Sequence, residues 1–322
     1  MNVKKIIKNN SLLNPIYYHA KEKRDKRELE HRLSFHGLYV DRSKGKSKLC
    51  IMLAGYKSYL YTHVFDRLKE YIEEDIDVCI ITSGLYSSDI SNMCEENGWS
   101  YLSTKENNVN LVQNVVISKH PNAKLIFKLD EDIFVTKGYF SKMYEAYEHC
   151  LKGKYKPGIV APILPINGFS HYIVLEKYNL LDKFEELFEK PMCITLPDRR
   201  IEKDPNVARF FWGEGGYVPH IDQMNLDFEN GNITEIVCPI KFSIGAILMP
   251  RSTWEDMGYF SVNKKQIAMG MDEKELCSFC VLKSRPIMVS CNVVVGHFSF
   301  GPQTDGMKDY YKNHPEMFEV MR

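Results

Sequence analysis

Three consecutive acidic residues, Asp130, Glu131 and Asp132, directly follow the apolar segment Leu125–Leu129, which is typical of a buried strand. Residues two apart in extended backbone point the same way, so Asp130 and Asp132 can face one site while Glu131 faces away. Two such carboxylates repel each other unless a cation lies between them, and their hard oxygen atoms suit Mg2+ or Mn2+. Ligands of open α/β sheets bind at the carboxyl ends of the strands. The triplet therefore predicts a divalent-metal site that could hold a diphosphate; the alternative is a solvated acidic loop.

A second acidic pair, Asp272 and Glu273, stands at the predicted start of a helix. The backbone N–H groups and the dipole of the first helical turn favour an ionised carboxylate there. Such a carboxylate can accept the proton of an attacking hydroxyl group, on the face opposite a leaving diphosphate. Acidic residues also cap helices for purely structural reasons, so both interpretations stay open.

One histidine, His297, follows the apolar segment Val293–Val295. A histidine at a strand end can complete a coordination sphere of carboxylate and phosphate oxygens, and its nitrogen favours manganese. The alternative is a histidine with a structural hydrogen bond. His220 and His314 are further candidates with less context.

Three segments, in this order, resemble the GT-A glycosyltransferases of the family 2 type. Lys124–Phe134 is similar to the strand and Asp-x-Asp motif of that family. The second segment, Phe242–Phe260 followed by Gly270–Leu276, is similar to its Gly-Ala strand, the aromatic residue and Gly-x-Phe turn that follow, and its acidic helix start. The third segment, Val293–Ser299, is similar to the one that contains the C-terminal histidine ligand of many members. The resemblance extends from Lys48 to about Phe300.

The resemblance implies a role for each candidate residue. Asp132 would bind the metal, Asp130 would contact the donor's ribose or the metal and its water shell, and His297 would be a further metal ligand. Glu273 would be the catalytic base of an inverting reaction. Asp272 stays a second candidate, because the family order is Glu then Asp and this chain has the reverse.

The elements that position these residues alternate along the chain, which predicts a mostly parallel sheet covered on both faces. Predicted strands are Leu49–Ala54, Val78–Thr82, Trp99–Leu102, Leu125–Leu129, Ile240–Met249 and Ile287–Val295, and predicted helices are Val64–Tyr71, Ile90–Asn97, Leu111–Lys119 and Asp272–Leu282. The resemblance implies a Rossmann-like α/β/α sandwich with a mixed, mostly parallel central sheet. We expect a basic helical arm at residues 1–47 and one catalytic domain at 48–322, with acceptor-side loops around 160–235.

The nucleotide of the donor would lie where the first two predicted strands end. Small residues there let a base and ribose approach the backbone, and Tyr56 could stack on the base or simply pack. The candidate donor-binding residues are Ala54, Gly55, Tyr56, Ser83, Gly84, Asp130 and Glu131. No Gly-x-Gly-x-x-Gly or Walker loop occurs, so the metal must hold the diphosphate.

The preferred acceptor site is the segment Phe210–Tyr217, with Trp212, Glu214 and Gly215 as binding candidates. Sugars stack on aromatic rings, and glycine-rich loops can close over a donor. Glu214 is also a second candidate base. The alternative, to which we give equal weight, is that these aromatic residues only stabilise a loop.

The composition limits the choice of partner and compartment. Lys plus Arg and Asp plus Glu both total 42, which gives no reason to expect a nucleic-acid partner. Nine cysteines without a repeated spacing favour a reducing compartment and hence the cytoplasm, and the pair Cys277 and Cys280 lacks further zinc ligands at comparable spacing. Residues 1–48 contain thirteen Lys or Arg against five Asp or Glu. The apolar residues set among those lysines could form a peripheral membrane contact, or the head is a solvated arm. They are Ile6, Ile7, Leu12, Leu13, Ile16, Tyr17 and Tyr18.

The function that the resemblance implies is transfer of a sugar from a nucleotide-diphosphate donor, with a UDP-sugar favoured, to a saccharide or lipid-linked acceptor. A glycosidase needs acids on opposite sides of the sugar, and Asp130 and Asp132 lie too close together for that. A sugar nucleotidyltransferase should open with a Gly-rich, arginine-containing loop, which this sequence lacks. A non-catalytic sugar-binding or scaffold protein remains an alternative.

Overall fold

The computed structural model describes residues 14–195, 199–229, 234–262 and 270–322. Its strands are β1 (Gly37–Val40), β2 (Lys48–Ala54), β3 (Ile76–Ser83), β4 (Ser100–Thr104), β5 (Leu125–Asp130), β6 (Ile133–Phe134), β7 (Ile159–Ile163), β8 (Glu235–Cys238), β9 (Ala246–Pro250), β10 (Ile287–Val294) and β11 (Gly296–His297). Nine of them form one sheet in the order β1-β4-β3-β2-β5-β9-β7-β10-β8.

The sheet is mixed and mostly parallel. Strands β4, β3, β2 and β5 are parallel neighbours, and so are β7 and β10. Strand β9 runs antiparallel between β5 and β7, and the edge strands β1 and β8 are also antiparallel to their neighbours. This arrangement confirms the predicted α/β class with a mostly parallel mixed sheet.

Register brings the ends of the central strands to one edge. Met52 of β2 lies opposite Ile80 of β3 and Leu129 of β5. All residues of β3 are buried, because helices cover both faces of the sheet, as expected for parallel strands. The carboxyl ends of β2, β3 and β5 therefore meet on the same side of the molecule.

The helices are α1 (Asn14–Leu33), α2 (Tyr61–Tyr71), α3 (Ser88–Glu96), α4 (Val109–Lys119), α5 (Tyr139–Lys152), α6 (His171–Lys177), α7 (Leu181–Leu187), α8 (Arg200–Lys203), α9 (Pro205–Phe211), α10 (Ile221–Phe228), α11 (Arg251–Asp256), α12 (Met271–Leu282) and α13 (Thr304–Asn313). The Asn108 side chain caps α4 by accepting a hydrogen bond from the Leu111 N–H at 2.9 Å. Helix α12 begins after Gly270, whose φ of +79° favours glycine. No helix among the described residues is long and apolar enough to cross a bilayer.

A buried arginine ties residues near position 320 to the rest of the fold. Arg67 of α2 donates two hydrogen bonds to the Asp222 carboxylate of α10, at 2.7 and 3.0 Å. It also donates to the backbone carbonyl groups of Val135, Phe318 and Glu319. This cluster connects α2, the segment after β6, α10 and the end of the described chain.

The structure differs from the predicted elements in three places. The expected strand Ile240–Met249 begins only at Ala246, because the preceding segment is bound to α12, where the Cys277 thiol donates to the Phe242 carbonyl at 3.4 Å. The region 160–235, expected to be loops, contains β7 and the helices α6 to α10. Residues Gly37–Val40, inside the predicted N-terminal arm, form β1 of the main sheet. Residues 1–13, which include Ile6, Ile7, Leu12 and Leu13 of the predicted membrane contact, lie outside the described residues, whereas Tyr17 and Tyr18 belong to α1.

Candidate active site

The acidic triplet lies at the carboxyl end of β5, in the centre of the sheet. Asp130 is the last residue of β5, and Asp132 precedes β6. Strand β6 pairs with β11, which places Ile133 opposite His297. The N–H of Phe298 donates to the carbonyl group of Asp132 at 2.9 Å. This pairing fixes the backbone of the triplet against the strand that contains the predicted histidine.

The side chains of Asp132 and His297 face each other in a buried position. His297 Nε2 lies 3.5 Å from Asp132 Oδ2, and the ammonium group of Lys57 forms an ion pair with the same oxygen. Burial alone would raise the pKa of Asp132, but the charges of His297 and Lys57 hold that pKa well below its usual range. Asp132 is therefore ionised at neutral pH.

Asp130 points to a different partner. The Lys128 ammonium, buried in β5, lies 2.6 Å from Asp130 Oδ1. Burial and the charge of Asp132 raise the pKa of Asp130 to about 6, although Lys128 acts in the opposite direction. The Asp130 carboxylate is paired with Lys128, and it lies close enough to Asp132 and Lys57 for their charges to act on one another. The role of Asp130 as a metal ligand or as a contact of the metal's water shell stays a prediction.

The pair Asp132 and His297 fits a divalent cation whose coordination sphere is completed by the substrate. Among the described residues, no three His, Cys, Asp or Glu side chains are placed to hold a metal ion. A magnesium ion at a phosphate site typically takes one or two carboxylates and fills its sphere with water and substrate phosphates. One buried oxygen ligand and one nitrogen ligand match that pattern, and the nitrogen favours manganese.

Glu131 turns away from the metal candidates and holds the loop after β2. Its carboxylate accepts hydrogen bonds from the Gly55 N–H at 2.8 Å, the Tyr56 N–H at 3.0 Å and the Tyr61 hydroxyl at 3.0 Å. The two backbone N–H groups are thereby occupied. Direct donor binding by Glu131, as predicted, does not fit this arrangement, because its carboxylate is committed to the protein.

The other predicted donor-binding residues come together at one edge of the sheet: Ala54, Gly55, Tyr56, Ser83 and Gly84. The exposed Tyr56 ring is fixed at its hydroxyl, which donates to the Ser83 carbonyl at 2.6 Å. Gly84 has a φ of +78°, and a Cβ there would lie 2.5 Å from the Cβ of Asn107. These contacts fix an exposed aromatic ring at this edge.

The acidic start of α12 reaches the same edge. Asp272 is buried and accepts a hydrogen bond from Gln113 Nε2 at 3.0 Å. Glu273 Oε1 lies 2.5 Å from the Lys241 ammonium, and its other oxygen accepts from the Ile244 N–H at 3.3 Å. Both candidate bases thus have a partner, and Glu273 is the less buried of the two.

Lys128 lies between the acidic residues at the end of β5 and those at the start of α12. Burial lowers the pKa of this lysine, but the charges of Asp130, Asp272 and Glu273 raise it above its usual value. The acids of α12 and the end of β5 therefore face one buried ammonium group. This lysine was missed in the sequence, although its spacing of two from Asp130 places both side chains on one face of β5.

Three further charged residues of the site also escaped the sequence analysis. Lys57 follows the predicted donor loop directly, and that position is the only signal for it. Lys241 and Glu202 lie in segments without a motif. Burial raises the pKa of Glu202, and the charges of Lys241, Glu273 and His297 also act on it, which locates Glu202 of α8 beside the site.

The aromatic segment after α9 has a structural role at its first position. Trp212 is buried, its Nε1 donates to the His297 carbonyl at 3.0 Å, and its ring packs on Phe134 and Phe318. This placement does not fit the predicted stacking on an acceptor, because no face of the ring is open. Glu214 and Gly215 lie in the exposed turn that follows.

No protein-family model and no curated protein sequence matches the chain. The solved structures that are similar to it include the following two. The mannosyltransferase PcManGT from Pyrobaculum calidifontis, in complex with GDP-Man and Mn2+, is 13% identical with a TM-score of 0.44, over 88% of this chain and 64% of that chain. S. aureus TarS is 9% identical with a TM-score of 0.43, over 84% of this chain and 39% of that chain. The chain thus spans less than two thirds of either protein. Because these identities and TM-scores are low, the assignment of the α/β class rests on the strand order described above and not on these two structures.

Proposed function

We propose that this protein is a glycosyltransferase that moves a sugar from a nucleotide-diphosphate donor to a hydroxyl group of an acceptor. The observation that carries the proposal is the buried pair of Asp132 and His297 at the carboxyl end of β5, beside the acidic start of α12. In an open α/β sheet this edge is where ligands bind. Two acidic groups with distinct partners provide a metal-binding part and a proton-accepting part of one site.

We propose Mn2+ or Mg2+ as the cofactor, held by Asp132 and His297 together with oxygens of the donor diphosphate. When bound, the cation would neutralise the charge that develops on the leaving diphosphate. Asp130, held by Lys128, is proposed to contact the ribose of the donor or the water shell of the metal. The exposed ring of Tyr56 is proposed to stack on the base.

Glu273 is the proposed general base, with Asp272 as the alternative. It would accept the proton of the acceptor hydroxyl while that oxygen bonds to the anomeric carbon and the bond to the diphosphate breaks. A single displacement of this kind inverts the anomeric configuration. Glu273 is preferred because it is less buried than Asp272, which Gln113 already binds.

The donor and acceptor are proposed by class. The resemblance favours a UDP-sugar, and the GDP-Man bound to the similar mannosyltransferase makes a GDP-sugar an equal choice for a test. The acceptor would be a saccharide or a lipid-linked saccharide, bound near the exposed turn of Glu214 and Gly215. A reducing compartment such as the cytoplasm agrees with nine unpaired cysteines.

The first test is thermal unfolding with UDP-sugars and GDP-sugars, with and without Mn2+. A ligand at a hundred times its Kd stabilises the native state by about 2.7 kcal/mol. We expect one donor to raise the melting temperature of the wild type only with Mn2+, and Asp132→Asn to abolish this increase. Asp305→Asn, which removes an exposed carboxylate, is the matched control and should respond like the wild type.

If no nucleotide sugar stabilises the wild type with either metal, the glycosyltransferase proposal is wrong and a sugar-binding or scaffold role takes its place. If a donor binds, NMR of the product tests the base. Retention of the anomeric configuration would contradict single displacement by Glu273.

A further inference from the structure

Lys57 is paired with the carboxylate oxygen that a divalent cation held by Asp132 would need. Its ammonium group forms an ion pair with Asp132 Oδ2, the same oxygen that faces His297 Nε2 at 3.5 Å. A cation coordinated by Asp132 and His297 would lie between these two atoms. Lys57 and a metal ion therefore compete for one carboxylate oxygen.

We propose that Lys57 is an exchangeable cation of the site: it neutralises Asp132 before a metal binds, yields that oxygen to the metal, and then binds the diphosphate of the donor. This inference rests on the proposed function. It assigns Lys57 as a diphosphate-binding residue and makes metal and nucleotide binding mutually dependent.

The two lysines of the site differ in their freedom to move. The Lys128 side chain is 5% exposed and lies within β5, whereas the Lys57 side chain is 26% exposed and follows the end of β2. The backbone before Lys57 is fixed, because Glu131 binds the N–H groups of Gly55 and Tyr56. Exchange therefore needs only rotation of the flexible lysine side chain.

Charge explains why the lysine would move to the diphosphate. An ammonium group and a divalent cation on one carboxylate oxygen repel each other strongly in a buried site. The diphosphate brings the new negative charge to this edge, and the nearby backbone N–H groups of Gly55 and Tyr56 are already occupied by Glu131. A lysine within reach of the metal then becomes the natural second cation for the phosphates.

The test measures binding of Mn2+ alone, from the electron paramagnetic resonance signal of free Mn2+, and binding of UDP and GDP at saturating Mn2+ by calorimetry. For Lys57→Met we expect Mn2+ alone to bind about tenfold more tightly, because its competitor is gone. We expect the nucleoside diphosphate to bind about tenfold more weakly, the usual effect of losing one charge-assisted hydrogen bond. Lys57→Arg should keep the nucleotide affinity within about threefold of the wild type.

Lys69→Met is the matched control, because it removes an exposed lysine of α2 and changes the net charge equally. It should leave both affinities unchanged. The inference is overturned if Lys57→Met binds Mn2+ no more tightly than the wild type, or binds the nucleotide equally well. If the wild type binds neither Mn2+ nor a nucleoside diphosphate, the proposed function itself fails, which is a different result.

Discussion

The carboxylate of Glu131 offers the sharpest test of how the site is built. Replacement by glutamine keeps the size of the side chain and removes its charge. The buried carboxylate accepts hydrogen bonds from Gly55, Tyr56 and Tyr61. A hydrogen bond to a charged group contributes about 1 kcal/mol more than a neutral one, so three of them predict a loss of about 3 kcal/mol. The amide nitrogen of glutamine adds to this loss, because it faces a backbone N–H group as a second donor.

Urea unfolding of the wild type and Glu131→Gln, analysed with a common slope, measures the loss. Glu95→Gln is the matched control, because Glu95 is exposed and its ion pair with Arg42 is long at 4.0 Å. We expect this control to change the free energy of unfolding by less than about 0.5 kcal/mol. An equally small change for Glu131→Gln would refute the reasoning, because the three hydrogen bonds would then not depend on the charge of the carboxylate.

Three further predictions concern stability and catalysis. Burial lowers the pKa of His171 to about 4, from 6.5 in the unfolded chain, so the unfolded state takes up the proton first on acidification. Between pH 7.5 and pH 5 the wild type should therefore lose about 2 kcal/mol more stability than His171→Gln, by urea unfolding at each pH. Arg67→Met should cost about 3–5 kcal/mol, because it leaves the Asp222 carboxylate buried without its partner, and adding Asp222→Leu should recover part of that loss. For the proposed reaction, Glu273→Gln should lower kcat by about 10²–10⁴-fold, with a smaller loss for Asp272→Asn; the reverse order would make Asp272 the base.

The central sheet was predictable because its strands are short apolar segments that parallel neighbours bury on both faces. Residues Leu49–Ala54 and Leu125–Leu129 carry that pattern, and each corresponds to a strand within one or two residues. The edge strand β1 was not predictable in this way, since its pairing with β4 depends on tertiary contacts rather than on an apolar pattern. The region 160–235 was predicted as loops because its helices are too short to show a clear helical period in the sequence.

The candidate site was predictable at its acids and not at its cations. Asp132 and His297 follow recognisable strands, and β6 and β11 bring them together. The partners of the acids follow no motif, because the side chains of Lys57 and Lys241 reach the site from loops. Trp212 was predicted to stack on an acceptor sugar because sequence alone does not distinguish an exposed aromatic ring from a buried one. The direction in which Asp130 points depends on Lys128, a contact that only the folded strand defines.

The Arg67 cluster also bears on the order in which the chain can fold as it is made. Arg67 and the carbonyl group of Phe318 are 251 residues apart in sequence. At synthesis rates of about 5–20 residues per second, roughly 13 to 50 s pass between the appearance of the arginine and that of its last partners. Strands β2 to β5 can pair during this interval, while the guanidinium group stays hydrated. Helix α2 acquires its final position only when residues near 318 leave the ribosome. A premature stop before that point would yield a sheet on which α2 lacks its contacts with Phe318 and Glu319.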